Sequence, residues 1–191
     1  MSASEDSHRS QILLDGIRRG DQIAFAEFIR AHEQRAASII GRVLDDPRDV
    51  AEATQDTFVQ VWRNASQFRG DAAVTTWLHR IAMNTALTRA RRKHRPQTSW
   101  EEASSLPLLD ATDATAQDAE QRRRAASVRA ALAQLPLDQR AAVVLRDIEG
   151  LSSAEAAAVL DLAEPALKTR LHRGRMRLRS LLADHAADAE S

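Results

Sequence analysis

The sequence predicts an all-α protein in which two small helical domains are joined by a flexible acidic linker. The chain has 191 residues, enough for two such domains, and 43% of them are apolar. Six glycines, five prolines and many alanines favour helix over sheet. Apolar residues recur at helical spacing on both sides of a stretch that has no periodicity, and strand-forming residues never alternate in runs.

The first domain is predicted over residues 11–96, after a polar and disordered tail at 1–10. Helical spacing begins at Ile12, and Gly20-Asp21 separates the first two helices. A long helix is predicted from Pro47 or Arg48 with Asp46 as its N-cap. Its apolar face comprises Val50, Ala53, Thr57, Phe58, Val61 and Trp62. A second long helix, from about Val74 to Lys93, directs Trp77, Leu78, Ile81 and Ala82 inward.

The second domain is predicted over residues 121–183, beyond a linker at 97–120 and before a tail at 184–191. Helices resume near Asp118. One helix follows Pro136, runs from Gln139 to Asp147 and buries Val143, Val144 and Ile148, and Gly150 ends it. Ser152-Ser153-Ala154-Glu155 resembles a capping box that opens a short helix. A turn at 161–163 leads into a last helix with Pro165 in its first turn and an inner face of Leu167, Leu171, Met176, Leu178, Leu181 and Leu182.

Charge is segregated along the chain although its formal sum is zero. Residues 63–96 carry eight basic side chains and one acid, residues 168–179 six basic side chains and no acid, and residues 97–120 six acids and no base. Two basic modules and an acidic connector are typical of nucleic-acid binding. No cysteine is present, so disulfides and thiolate metal sites are excluded, and we expect no metal and no cofactor. A polar N-terminus without an apolar segment predicts a cytoplasmic protein.

The C-terminal helices form a helix-turn-helix pattern. The last helix is basic, and Lys168, Thr169, His172, Arg173 and Arg175 point away from Leu167 and Leu171. Such a helix enters the major groove, where residues near its N-terminus reach base edges and cations neutralise phosphates. The alternative is a solvated helix that closes a bundle, but residues 168–179 contain no acid that could form i, i+4 pairs with their six bases.

The segment from Phe68 to Arg95 mixes aromatic and basic residues, which suits single-stranded nucleic acid. Helical position favours core roles for Trp62 and Trp77. The polar loop from Asn64 to Asp71 lies between two long helices and is a candidate base pocket.

Two other functions remain as alternatives. A stand-alone repressor or activator with a C-terminal helix-turn-helix would explain the last sixty residues but not the first domain, and it would bind duplex DNA as a dimer. An enzyme is disfavoured because the sequence contains no ligand pair on a helix face, no phosphate-binding loop and no nucleophile motif.

Two blocks resemble the extracytoplasmic-function (ECF) sigma factors of bacterial RNA polymerase. The first, DVAEATQDTFVQVWR followed by FRGD and TWLHRIAMN, is similar to conserved region 2. The second, LP through VLRDIEGLS and KTRLHRGR, is similar to region 4. The family's Gly-Thr-Val before the recognition lysine is Pro165-Ala166-Leu167 here, and the glycine usual in the turn is missing from Asp161-Leu162-Ala163. These departures leave the −35 preference unpredicted.

The resemblance implies a role for each surface. Polymerase binding to the clamp helices of the largest subunit would use Asp49, Gln55, Asp56, Phe58 and Trp62. Capture of a flipped base of the −10 element would use the loop residues Asn64, Phe68, Arg69, Gly70 and Asp71. Contacts to the melted strand and to the upstream duplex would use Arg80, Asn84, Arg91, Arg92 and Lys93. The last helix would read the −35 element with Pro165, Lys168, Thr169, His172, Arg173 and Arg175.

The resemblance also implies partners. The second domain would hold the flap of the polymerase β subunit, and an anti-sigma factor could hold the domains closed. Without polymerase, the two domains are expected to be loosely tethered.

Overall fold

The computed structural model describes residues 3–70, 72–93 and 116–189, and the regular elements within these ranges are helical. The helices are α1 (Ala3–Arg18), α2 (Gln22–Ile40), α3 (Pro47–Asn64), α4 (Val74–Lys93), α5 (Ala116–Ala133), α6 (Leu137–Val143), α7 (Ser153–Val159) and α8 (Glu164–Ala189). None of the helices described is long and apolar enough to span a bilayer.

The first domain comprises α1 to α4. Helices α1 and α2 cross so closely that a Cβ on Gly16 would lie 2.6 Å from the Cβ of Ala24, so only glycine fits there. Helix α3 begins where the sequence predicts, because the Asp46 carboxylate accepts from the Arg48 backbone N–H at 2.9 Å. Helix α4 begins at Val74, as the sequence predicts, and the structure describes it as far as Lys93.

The second domain packs α6 and α7 against α8. Helix α6 passes into a π-helical turn over Val144–Ile148, where the Glu149 N–H donates to the Val144 carbonyl at 2.9 Å. The capping box before α7 is confirmed, because Ser152 and Glu155 exchange two hydrogen bonds of 2.8 and 3.2 Å.

The turn between α7 and α8 has no glycine, and the backbone of Asp161 adopts a φ of +54° there. Aspartate is one of the few residues other than glycine that enter this left-handed region. The departure from the family's usual glycine therefore leaves the helix-turn-helix intact.

Two predicted tails are wrong in part. Residues from Ala3 onward are helical, since Ser10 is buried and hydrogen-bonds His32 of α2 at 3.0 Å. Helix α8 continues to Ala189, beyond the predicted end of the second domain. Of the predicted linker, residues 97–115 lie outside the described residues, and 116–120 begin α5.

Three burial predictions are wrong. Trp62, Ile148 and Met176 are 37%, 37% and 51% exposed. The π turn rotates Ile148 outward relative to a continuous helix, since each residue of a π turn advances less around the axis. Leu167 and Leu171 lie on the buried face of α8. Met176 does not lie on that face, so its side chain is exposed.

The two domains pack directly on each other, contrary to the expected loose tether. Helix α4 lies against α6 and α7, and one apolar cluster includes Met83 and Leu87 of α4 together with Val144 and Leu151 of the second domain. Polar contacts cross the same interface, including the Glu149 carboxylate 2.7 Å from Arg42 and 3.1 Å from His79.

Candidate nucleic-acid interface

The N-terminal half of α8 presents a continuous polar face. Lys168, Thr169, His172 and Arg173 are exposed on it, whereas Leu167 and Leu171 are buried on the opposite side. Pro165 lies at the start of the same exposed face. The structure thus brings together five of the six residues predicted to read DNA, on a helix whose inner side is held by the domain core.

Arg175 has a different position from the other predicted contacts. Its guanidinium donates two hydrogen bonds to the Asp147 carboxylate, of 2.9 and 2.5 Å. These hydrogen bonds raise the pKa of Arg175. Arg175 therefore links α8 to the π turn. The sequence did not indicate Asp147 as its partner, because the position of Asp147 depends on the π-helical register.

A polar groove of about 480 Å³ lies between α3 and α4. Three predicted −10 residues, Asn64, Asn84 and Arg92, line it, although they are separated in the sequence. Its other lining residues are Asp56, Gln60, Ile81, Thr85, Thr88 and Arg89. Amides and hydroxyls dominate this lining, so the groove offers both hydrogen-bond donors and acceptors.

Sequence reasoning missed Gln60 and Thr88, although their spacing could have revealed them. Gln60 precedes Asn64 by one helical turn, and Thr88 follows Asn84 by one turn. The Asn64 amide donates to both the carbonyl and the side-chain oxygen of Gln60 at 2.9 Å, so the two side chains form one unit.

The buried side chain of Phe68 supports the loop that precedes α4. This ring is 5% exposed and its centroid lies 5.4 Å from that of Trp77. Arg18 of α1 stacks 5.8 Å from the same ring and donates to the backbone carbonyls of Ala65 and Phe68. Phe68 therefore supports the loop and is not placed to stack on a base. Arg18 had no sequence signal for this role.

Within the described part of the loop the exposed residues are Ser66, Gln67, Arg69 and Gly70, and Gly70 has a φ of +82°. Asp71 lies outside the described residues. Arg80, Asn84, Arg91 and Arg92 are exposed along α4.

The predicted polymerase-binding set on α3 divides into three groups. Gln55 and Asp56 are exposed, and Trp62 is partly exposed with its ring 4.9 Å from that of Phe25. Phe58 is 5% exposed and packs edge-on to Phe28, so it belongs to the core. Asp49 is turned toward α4.

Asp49 and Lys93, predicted to bind different partners, bind each other. The Asp49 carboxylate lies 2.9 Å from the Lys93 ammonium and 2.7 Å from Arg89 Nε. Burial acts to raise the pKa of Asp49, but hydrogen bonds and charge from Lys93 and Arg89 outweigh it, so this pKa lies below its ordinary value of 3.8. The network joins the start of α3 to the end of α4.

Asp49 makes the stability of the first domain depend on pH. A carboxylate with a lowered folded-state pKa stabilises the fold above its unfolded-state value, and this contribution is lost as pH falls through the folded-state value. Asp49→Asn is expected to lower the unfolding free energy by about 1 kcal/mol at pH 7 and by progressively less below about pH 4. Urea unfolding followed by circular dichroism measures both.

Asp56→Asn is the matched control on the same helix, because its carboxylate is 63% exposed and 3.9 Å from Arg89. We expect its effect to stay within about 0.5 kcal/mol. A difference between wild type and Asp49→Asn that is as large at pH 3 as at pH 7 would contradict the ionic role of Asp49.

Among the described residues, no group of histidines and acids could hold a metal ion. His79 is 3% exposed and lies at the interface between the domains, beside Glu149. His172 is exposed on α8.

Comparisons with known proteins cover both domains. The family model for Sigma-70 region 2 matches residues 28–96, and that for Sigma-70 region 4 matches residues 125–178. The chain is 40% identical over 167 residues to the ECF RNA polymerase sigma factor SigM of Mycobacterium tuberculosis, covering 85% of this chain and 79% of SigM. It is 32% identical over 175 residues to the RNA polymerase sigma-H factor of Pseudomonas aeruginosa, covering 87% and 90%.

Two solved structures share the fold. The structure of CnrH in complex with the cytosolic domain of CnrY matches with a TM-score of 0.64 and 30% identity, over 96% of this chain and 99% of that one. The sigma factor RpoE in complex with the anti-sigma factor NepR, from Bartonella quintana, matches with a TM-score of 0.65 and 22% identity over 83% and 96%.

Proposed function

The chain belongs to the ECF sigma factors of RNA polymerase, and from this premise we propose which of its surfaces acts at each step of initiation. As a member of this family it binds core polymerase and directs promoter recognition and transcription initiation. The observation that carries the proposal is the pairing of an exposed basic face on α8 with a polar groove between α3 and α4.

We propose that the groove between α3 and α4 holds an unstacked base of the −10 element. Extruding a base costs a few kcal/mol, so strand opening needs a site that offsets this cost. The amides of Gln60, Asn64 and Asn84 can exchange hydrogen bonds with a base edge, while Arg92 at the rim neutralises phosphate. Buried Phe68 fixes the loop beside the groove instead of stacking on the base.

The exposed face of α8 reads the −35 element in duplex form. Lys168 and Arg173 supply phosphate or base contacts from the first turns of the helix, where side chains reach the floor of the major groove. Lys168 also lies 3.8 Å from Glu164, a weak exposed pair that DNA phosphates can replace.

The outer face of α3 docks on core polymerase through Gln55, Asp56 and Trp62. Partly exposed Trp62 is an apolar anchor with polar neighbours, the composition typical of interface centres. Asp49 and Phe58 act indirectly, since the first joins α3 to α4 and the second packs α3 on α2.

We also propose a protein inhibitor that binds both domains as a further partner. The structural relative CnrH is in complex with the cytosolic domain of CnrY, which supports this proposal. Members of this family are transcription initiation factors, and we propose that this chain performs no chemistry of its own and works with polymerase in the cytoplasm.

Run-off transcription with purified core polymerase on a genomic fragment library tests the function. We expect discrete transcripts that depend on the added chain, and none with core polymerase alone. Tight duplex binding without polymerase, together with no transcript and no binding to core, would support a stand-alone regulator instead.

A further inference from the structure

We propose that Arg18 of α1 is a positioning residue for recognition of the −10 element. Its guanidinium holds the loop that precedes α4 in the shape that captures a base, and it does so without contacting DNA. Arg18 reaches this loop from a helix that carries none of the predicted DNA contacts. The inference deepens the proposed function, and it rests on the groove between α3 and α4 being the base site.

Each nitrogen of the Arg18 guanidinium has its own acceptor. Nε donates to the Ala65 carbonyl at 3.0 Å, Nη2 donates to the Phe68 carbonyl, and Nη1 donates to the Asp15 carboxylate at 3.1 Å. The guanidinium carbon also lies 5.8 Å from the centre of the Phe68 ring. Arg18 is therefore oriented within its own helix by Asp15 and makes three contacts with two residues of the loop.

The two carbonyls that Arg18 holds flank the turn that follows α3. Residues Ala65–Gln67 form one 3₁₀ turn directly after Asn64, and the Ala65 carbonyl also accepts from the Phe68 N–H at 3.3 Å. The last carbonyls of a helix lack partners within it and carry partial negative charge, so a cation from another helix stabilises them. Arg18 therefore caps the end of α3 at the point where Asn64 lines the groove.

Arg18 also fixes the direction in which the chain leaves this turn. A peptide group is planar, so a hydrogen bond to the Phe68 carbonyl fixes the plane that joins Phe68 to Arg69. Arg69 is exposed, and it is followed by Gly70, which as a glycine restricts the backbone very little. The orientation of Arg69 beside the groove therefore depends on the plane before it, which Arg18 holds.

Positive charge alone does not account for these contacts. Ala65 and Phe68 are buried, and a buried carbonyl that loses its donor is costly, so loss of the guanidinium favours a rearranged loop. A lysine at position 18 would keep the charge and the aliphatic chain. Its single ammonium lacks the planar fork that meets several acceptors at fixed angles, so it would not hold the loop in the same shape.

Binding of single-stranded probes to the holoenzyme tests this role. The probes are non-template oligonucleotides from a promoter that run-off transcription identifies, either intact or with one abasic site at each −10 position in turn. At the extruded position, wild type should bind the intact strand about 10- to 100-fold more tightly than the abasic strand, as fluorescence anisotropy measures. In Arg18→Ala and Arg18→Lys this ratio should fall about 10-fold, because the loop no longer has one fixed shape.

Arg19→Ala is the matched control, because Arg19 adjoins Arg18, is exposed and carries the same charge. It should leave the ratio of intact to abasic affinity unchanged. Arg18→Lys separates positioning from general attraction to phosphate, since it retains the charge. Circular dichroism at the assay temperature and affinity for a −35 duplex should match wild type in every variant, which shows that the fold and the second domain are intact.

Two results would overturn this inference alone. The first is a base-sensitive position in wild type that both Arg18 variants retain in full. The second is an equal loss of affinity for intact and abasic strands in Arg18→Ala, because a direct phosphate contact would act on both strands. A wild type without any base-sensitive position would contradict the groove as a base site, and with it the inference that rests on that site.

Discussion

Leucine in place of Gly174 is expected to destroy the packing of the recognition helix. A Cβ at this position would lie 2.9 Å from Val143 Cγ2 and 3.2 Å from the Gln139 carbonyl, because α8 crosses α6 there. A side chain the size of leucine has no room, and we expect Gly174→Leu to lower the unfolding free energy of the second domain by about 3 kcal/mol. Urea unfolding followed by circular dichroism measures the loss, and affinity for −35 duplex should fall with it.

Gly174→Ala separates crowding from backbone flexibility. Alanine gains about 1 kcal/mol of helix propensity but must displace the Val143 methyl group, so its net effect is expected to be small. Arg179→Leu, at an exposed site later in α8, is the control and should change stability by less than about 0.5 kcal/mol. Equal midpoints for wild type and Gly174→Leu would show that the two helices do not cross closely.

Removing two cations from the start of α8 is expected to have the largest effect on promoter recognition. Lys168→Ala combined with Arg173→Ala should weaken −35-dependent binding by the holoenzyme about 30- to 1000-fold, because each lost contact is worth roughly 1–2 kcal/mol. The slope of log affinity against log salt should also become shallower by up to about 2. Fluorescence anisotropy on labelled promoter duplex at several salt concentrations gives both quantities.

Arg175→Ala is the informative comparison for that double variant. Since Arg175 is held by Asp147, its loss should weaken DNA binding together with stability, whereas the Lys168 and Arg173 variant should keep its stability. If the double variant bound the promoter as tightly as wild type, α8 would not be the upstream reader.

Helix positions were predictable because local signals agree with the fold. Asp46 before Pro47, the Ser152 to Glu155 box and the apolar stripes each fix an end or a face within a few residues. These are short-range effects that hold whatever the rest of the chain does. The start of α1 was missed because its polar residues carry no stripe, and its order comes from contacts such as Ser10 with His32.

The sequence predicted the placement of candidate site residues, and it did so only where chemistry and exposure coincide. Asn84 and Lys168 are polar, exposed and placed on the faces that the sequence indicated. Phe68 and Arg175 have side chains suited to DNA contact, but residues distant in the sequence occupy them. Phe68 packs against Trp77 and Arg18, and Arg175 pairs with Asp147. Helical periodicity does not encode such long-range pairs. The sequence therefore could not distinguish a residue that supports the fold from one that is free to contact DNA.

The packing of one domain on the other could not be predicted from the sequence either. Glu149 and His79 are 70 residues apart, and each has an ordinary local context. Segregated charge and an acidic connector suggested independent domains, whereas buried complementary groups on α4 and the π turn bring them together.

We propose that this one chain contacts the promoter at two separate points. Run-off transcription on two templates, one complete and one lacking the −35 element, tests it most directly with holoenzymes of three proteins. Wild type is compared with the Lys168 and Arg173 double variant and with Asn84→Ala, which alters the groove. We predict that the α8 variant is impaired on the complete template but equals wild type without the −35 element, while Asn84→Ala is impaired on both. Equal impairment of the α8 variant on both templates, or full activity of Asn84→Ala, would contradict the account.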